Sequence, residues 1–265
     1  MGESGIDTAI RIERDEKIAR VILSRPEVHN ALDSAMIGRL DQALAVLAGD
    51  ETIRIVFLTG AGKSFSAGAD LAWMKRMGSL GEAENRRDAE ALAGLLDRLD
   101  TMPKPTLALV NGAAMGGAVG LIAACDIAIA SQTASFGLSE ARLGLIPAVI
   151  SPYVVRAVGE RIARRYMLTG ERFASAEALR IGLVHETVAT EELQSRGHAL
   201  AGLLLAAAPN AQREIKDLLR LVFGRPIDAA LRSETAARIA RIRAGAEARE
   251  GIAAFLEKRP PEWQR

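Results

Sequence analysis

The sequence predicts an α/β fold that closes in helices alone, and three observations predict it. Strand-length apolar runs stand at Ile18–Ser24, Ile53–Thr59, Leu107–Val110 and Ile127–Ala130, the first three closed by Pro26, Gly60 and Asn111. Segments of helical spacing lie between them, notably Ser34–Leu47 and Ala89–Leu99. From Tyr153 almost to the end the pattern is helical, broken by Gly and Pro. With 265 residues, 49% of them hydrophobic, the chain can bury a large core. We divide it into a core of residues 1–200 and a helical region of residues 201–265.

Taken in order, Thr8–Arg14 alternates in strand fashion, Asp15–Lys17 turns, and Ile18–Ser24 alternates again, which predicts an opening β-hairpin. Arg25–Leu32 leaves it as an irregular loop, and either Asp33 or Ser34 caps the amphipathic helix that follows. After the buried strand Ile53–Thr59, Lys63–Asp70 is a small-residue loop with backbone amides available, and Asp70 reads as the cap of the next helix. Trp73, Met74 and Met77 have near-helical spacing there. Met102-Pro103-Lys104-Pro105 ends the next helix. The strand Leu107–Val110 then meets the turn Asn111-Gly112, Gly116-Gly117-Ala118 opens a helix, a second buried strand follows, and Glu140 stands in a short loop. Beyond it, helices are expected at Val154–Val158, Ile162–Leu168, Ala174–Ile181, Glu191–Ala208, Gln212–Phe223, Ile227–Ile242 and Ala246–Leu256, with Leu183–His185 extended. No internal repeat of solenoid period is evident.

Two loops carry chemical potential. A glycine-rich helix start leaves its first N–H groups without intrahelical partners at the positive end of the helix dipole. A second small-residue loop, at the end of a neighbouring strand, can aim another N–H at the same point, which is the arrangement of an oxyanion hole. The plain alternative is that Gly116-Gly117 only lets the helix lie close to the sheet. Glu140 has the apolar neighbours Phe136, Leu138, Leu143 and Leu145, which would desolvate it and raise its pKa. Its plain alternative is a surface charge paired with Arg142. Asp126 sits at the far end of the glycine-rich helix, where a structural hydrogen bond is a simpler account than a second acid. Ser139, Ser151 and Tyr153 are further polar candidates for holding a water.

The exclusions are brief. Thirty-four basic against 33 acidic residues leave a formal charge of +1, which offers no electrostatic case for nucleic acid or an anionic membrane. The single cysteine, Cys125, lies in an apolar run, reads as a small buried hydrophobe, and fits a reducing compartment. His29, His185 and His198 are scattered and suggest no metal site. A polar N-terminus without a signal-length apolar core, and no run long enough for a bilayer, predict a cytoplasmic protein.

In this order and spacing, FSAGADLAWM, NGAAMGGAVGLIAACDIAIA, FGLSEARLGLIP and GIAAFLEKRPPEW resemble the crotonase (enoyl-CoA hydratase/isomerase) superfamily, over Ile10 to Trp263. The resemblance implies a spiral of ββα turns, a C-terminal helical region that forms a trimer or dimer of trimers, and an acyl-CoA substrate whose coenzyme A is the only cofactor moiety. It implies that the N–H groups of Ala69 and Gly117 form the oxyanion hole, with Glu140 as catalytic acid or base. Ala67 and Gly68 would lie along the nucleotide, with the loop of Arg25 passing over it; otherwise Arg25 is a solvated loop cation. The same holds for Lys216 and Lys258, either near the CoA phosphates or solvated. Trp73, Met74 and Met77 would wall the acyl pocket, or simply pack in the core.

The family's hydratases carry a second glutamate where this chain has Gly120, a place the resemblance leaves to a water or a polar group of the substrate. After Pro147 the run AVISPYV replaces the usual glycines, so the pocket wall is expected to be bulkier and less polar. That combination resembles the bacterial methylglutaconyl-CoA hydratases. Hydration of a 2-enoyl-CoA is therefore expected. The alternatives are a 3,2-enoyl-CoA isomerase, which needs only one base, and a non-catalytic or RNA-associating scaffold.

Overall fold

A computed structural model describes residues 9–264 of the chain, so Thr8 of the expected first strand lies outside the described residues. β1 (Ile10–Asp15) and β2 (Ile18–Leu23) form the antiparallel hairpin. α1 (Ser34–Gly49) is capped by Asp33, whose carboxylate accepts from Met36 N at 2.8 Å; Ser34 is inside the helix. Then come β3 (Ile55–Gly60), β4 (Ser64–Ser66), α2 (Leu71–Met77), α3 (Glu82–Asp100), β5 (Thr106–Val110), β6 (Ala113–Met115) and α4 (Gly117–Ala124). β7 (Ile127–Ser131) and β8 (Ser135–Gly137) lead to a 3-10 turn at Glu140–Leu143, and then to α5 (Ser151–Val158), α6 (Glu160–Thr169), β9 (Arg172–Ala174), α7 (Ser175–Arg180) and β10 (Glu186–Val188). α8 (Leu193–Ala206), α9 (Pro209–Val222), α10 (Ala229–Arg243) and α11 (Ala246–Leu256) complete the chain.

Two sheets result, in the orders β1-β2-β3-β5-β7-β10 and β4-β6-β8-β9. Successive strand pairs β3-β4, β5-β6 and β7-β8 place one strand in each sheet, so neighbours within a sheet come from successive turns of the chain. This is the spiral of ββα turns. Because the central strands of the larger sheet are covered on both faces, they read as continuous apolar runs. Alternate residues divide between two cores. Val56, Leu58, Ala108 and Val110 face α1, α3, α4 and the smaller sheet, whereas Ile55, Phe57, Leu107 and Leu109 face α8 through Leu193 and Ala201. α8 runs through residue 200 without a break, so the expected division there falls inside a helix that belongs to the sheet's packing, and Pro209 opens the next one. The extended piece expected at Leu183–His185 lies at Glu186–Val188 instead, where it pairs with β7. Among the described residues no helix is long and apolar enough to cross a membrane, and no group of metal-ligating side chains is found.

Candidate active site

The smaller sheet brings the two loops together. β4 and β6 are parallel, with Ser66 opposite Ala114, and Ala69 and Gly117 each stand three residues further along. The strands therefore deliver both residues to the same end of the sheet. Contact between the loops is close: a Cβ on Gly68 would stand 2.8 Å from the Met115 carbonyl oxygen, and the φ of +87° there also favours glycine. Leu32 links the pair from the other side. It forms a parallel bridge with Ala69, its N–H donating to Gly68 O (2.7 Å) and its carbonyl accepting from Asp70 N (2.9 Å). A Cβ on Gly117 would stand 3.3 Å from Leu32 Cδ1. The bridge occupies the polar groups flanking Ala69 and turns Ala69's own N–H to the opposite side. Among the described residues neither the Ala69 nor the Gly117 N–H donates to a protein acceptor.

Glu140 arrives from the third strand of the same sheet. β8 lies beside β6, Gly116 N donates to Gly137 O at 2.9 Å, and the chain then enters the 3-10 turn that Glu140 opens. Its carboxyl rests against Gly116, the cap of α4, where a Cβ would lie 3.0 Å from Oε1 and where φ is +52°. The positive φ favours glycine, and a side chain here would press on the Glu140 carboxyl. Oε2 of Glu140 is buried without a hydrogen-bond partner. Burial pushes this carboxyl above the usual glutamate range, opposed by a hydrogen bond from its own backbone. Its drying does not come from all four expected neighbours: Phe136 and Leu138 are buried, but Leu143 and Leu145 are 59% and 53% exposed, because the turn and Gly144 in the left-handed region carry them to the surface. Arg142 donates to Thr169 O and forms no ion pair with Glu140.

The place of a side chain at Gly120 is filled. Gly116 and Gly120 are one helical turn apart on α4, and a Cβ on Gly120 would lie 2.3 Å from Ile150 Cγ2 and 2.7 Å from Ile150 Cβ. The expected opening for a water or a polar substrate group at Gly120 is therefore closed by the buried side chain of Ile150, just before α5. Within residues 148–154, Ile150 and Val154 are buried, while Ala148 and Pro152 are exposed.

The other candidates sort by geometry. Asp126 accepts from Thr106 N (2.8 Å), Thr106 Oγ1 (2.9 Å) and Lys216 Nζ (2.6 Å), so it ties β5, β7 and α9 together and is no second acid. Lys216 is thereby held by Asp126 rather than solvated, and Lys258 is exposed after α11. Ser151 donates to Ala148 O, Tyr153 packs beside Asp97, Asp100 and Arg156, and Ser139 is exposed. Cys125 is half-buried, and its desolvated sulfur, with Asp126 adjacent, has a thiol pKa pushed up, the reverse of a nucleophile's. Trp73, Met74 and Met77 are half-buried on α2, which Asp70 caps through Ala72 N and Trp73 N as expected. Ala67 is exposed, its N–H held by His29 O at 2.8 Å while its carbonyl accepts no bond among the described residues. Arg25 is not a solvated cation, since it reaches Asp33 (2.8 Å) and Asp70 (3.4 Å).

One residue of the site neighbourhood carries no obvious sequence signal beyond its type. Asn30 is fully buried with φ of 56°, its side chain accepting from Arg25 N and donating to Ala61 O and Ser64 O. Asn tolerates the left-handed region better than most residues, and an Asn within an irregular loop is the signal that marks it.

Comparison with known proteins agrees with this geometry. The family described as enoyl-CoA hydratase/isomerase matches residues 13–265. A crystal structure of an enoyl-CoA hydratase from Shewanella pealeana superposes with a TM-score of 0.94 at 45% identity, covering 96% of each chain. Pseudomonas aeruginosa AtuE superposes with a TM-score of 0.92 at 39% identity, covering 97% of this chain and 100% of that one. The short-chain-enoyl-CoA hydratase of Clostridium acetobutylicum is 34% identical over 253 residues, covering 95% of both. With the strand spiral and a match over almost its whole length, the chain belongs to the enoyl-CoA hydratase/isomerase family.

Proposed function

We propose that the chain adds water to the double bond of 2-enoyl-CoA thioesters and catalyses the reverse dehydration. What supports this reading is that two backbone donors unpaired among the described residues, at Ala69 and Gly117, follow neighbouring strands of the smaller sheet, whose third strand leads to Glu140 with its buried, unpartnered Oε2 against Gly116. The thioester oxygen accepts from both N–H groups and gains negative charge as the enolate forms, each donor contributing about 3 kcal/mol at the transition state. Glu140 removes a proton from water as the water oxygen bonds to C3 and the π electrons move through C2 onto the thioester oxygen. The enolate then collapses, C2 takes the proton from Glu140, and the carboxylate is restored. One carboxyl serves both steps, since position 120 holds glycine and Ile150 fills the space a side chain there would take. Such proton transfer contributes roughly a hundred- to ten-thousand-fold.

Coenzyme A enters as part of the substrate, with the backbone of Ala67 and Gly68 along its nucleotide. Within the class we favour 3-methylglutaconyl-CoA, on the sequence similarity at Gly120 and residues 147–154. The exposed apolar side chains of Phe223, Ile227, Ile252, Phe255 and Leu256 on and around α9–α11 support a trimer or a dimer of trimers.

The test is incubation with 2-enoyl- and 3-enoyl-CoA in oxygen-18 water. Hydration predicts a 3-hydroxyacyl-CoA carrying one heavy oxygen from the 2-enoyl substrate. A shifted double bond without heavy oxygen identifies an isomerase, and no turnover of either substrate overturns the enzymatic reading. Comparing kcat/KM for 3-methylglutaconyl-CoA and 2-butenoyl-CoA then tests the finer assignment.

A further inference from the structure

Arg25 lies between two helix caps. Asp33 caps α1 with Oδ1, through Met36 N, and presents Oδ2 to Arg25 NH1 at 2.8 Å. Asp70 caps α2 with Oδ1, through Ala72 N and Trp73 N, and presents Oδ2 to Arg25 NH2 at 3.4 Å. NH1 also donates to Ala31 O at 3.3 Å. One guanidinium thus joins two carboxylates, each of which uses one oxygen for its helix and the other for the arginine. The Leu32–Ala69 bridge spans the interval between the two caps. The backbone of Arg25 is itself fixed, since its N–H donates to Asn30 Oδ1 and its carbonyl accepts from Asn30 N, both at 2.8 Å.

We propose that Arg25 is a positioning residue for the oxyanion hole: by cross-linking the caps at Asp33 and Asp70 it holds the Leu32–Ala69 bridge in register and so aims the Ala69 N–H at the thioester oxygen. The proposal rests on the reading of Ala69 given above and replaces the nucleotide contact that the family resemblance implies for this side chain. A planar fork suits the task, because two carboxylates approaching from different helices each need their own donor. An oxyanion donor acts only when its direction is fixed before the charge develops. A small displacement of such a group lowers turnover by about a hundredfold without touching the rest of the substrate.

The variants are Arg25→Gln and Asp70→Asn, in the full chain. Asparagine remains a good N-cap, so Asp70→Asn keeps α2 and removes only the charged partner of Arg25, and it carries the test if Arg25→Gln fails to fold. Three quantities are read: steady-state kinetics on 2-butenoyl-CoA, calorimetric affinity for free coenzyme A, and amide hydrogen exchange of Leu32, Asp70 and Trp73. The brace predicts that kcat falls about ten- to a hundredfold in either variant, that KM and coenzyme A affinity stay within twofold, and that exchange at these amides speeds up. The double variant loses no more than the worse single one, because the contact that Asp70→Asn removes is among those that Arg25→Gln removes. A tenfold loss of coenzyme A affinity with unchanged kcat and unchanged exchange overturns the proposal and makes Arg25 a nucleotide ligand. Wild-type kcat and exchange in both variants overturn it as well. Failure of the wild-type protein to turn over any enoyl-CoA is a different result: it removes the proposed function and the oxyanion role with it, while exchange still reports whether Arg25 holds the bridge.

Discussion

Replacing Gly120 by alanine, alone and beside Ile150→Gly, tests how the active-site helix is packed. In the wild-type background the new methyl group would stand 2.3 Å from Ile150 Cγ2 and 2.7 Å from its Cβ, with the Cα at 3.6 Å. Overpacking of this kind costs about 1–3 kcal/mol, and contact with two atoms at such distances belongs at the upper end. Alanine returns about 1 kcal/mol of helix propensity, leaving a net loss of about 2 kcal/mol. Ile150→Gly removes both close atoms and leaves only the Cα, at ordinary contact distance. That change alone costs at least about 2–5 kcal/mol for the lost side chain. In its background Gly120→Ala gains the same propensity and about 0.8 kcal/mol for the buried methyl, so it stabilises by about 2 kcal/mol. The substitution should therefore change sign between backgrounds, with a coupling of about 3–4 kcal/mol. Urea unfolding of the four proteins at one protomer concentration gives the cycle. Effects of Gly120→Ala that agree within about 0.5 kcal/mol in the two backgrounds would refute the reasoning.

Three further outcomes are expected. Glu140→Gln should lower kcat by roughly a hundred- to ten-thousand-fold. It should also raise the melting temperature at neutral pH: the upward-shifted carboxyl adds stability below the ordinary glutamate value of about 4.3 and loses it as pH rises through the shifted value, a loss glutamine does not share. Melts from pH 4 to 8 and initial rates check both, and undiminished turnover would contradict the role of Glu140. Asp126→Ala should lower the melting temperature by several degrees while kcat stays within about twofold, since it unties Thr106 and Lys216 but leaves the other end of α4 intact; a large kcat loss with an unchanged melt would restore it as a second acid. Phe255→Glu, at a side chain 81% exposed, should shift the sedimentation of the assembled protein toward the monomer, and an unchanged profile would move the proposed interface elsewhere.

How much of this was legible in the sequence depends on how local each feature is. The long central strands were readable because a strand buried on both faces must be apolar throughout, as Leu107–Val110 is. Helix starts at Asp33 and Asp70 were readable because a cap acts on residues two or three positions away. The strands of the smaller sheet were not visible as periodic patterns, since Ser64–Ser66, Ala113–Met115 and Ser135–Gly137 are each too short to show alternation. The spiral likewise repeats in backbone pairing without repeating in sequence, because hydrogen-bonded register constrains side-chain size more than identity. For the site, Gly116 and Gly117 announced a close approach, but not what approaches. Glu140 reaches Gly116, Leu32 reaches Gly117 and Ile150 reaches Gly120, each from a distant segment. The same distance hid the partners of Arg25 and made the exposure of Leu143 and Leu145 unreadable from their composition.

The central claim is that the Ala69 and Gly117 amides share one thioester oxygen within reach of Glu140. A crystal structure of the Glu140→Gln protein with a bound 2-enoyl-CoA measures this directly. The account predicts the thioester oxygen at about 2.7–3.1 Å from both amide nitrogens, with the residue-140 side chain facing C2 and C3. A thioester oxygen bound by neither amide, or a residue-140 side chain turned away from the double bond, would contradict it.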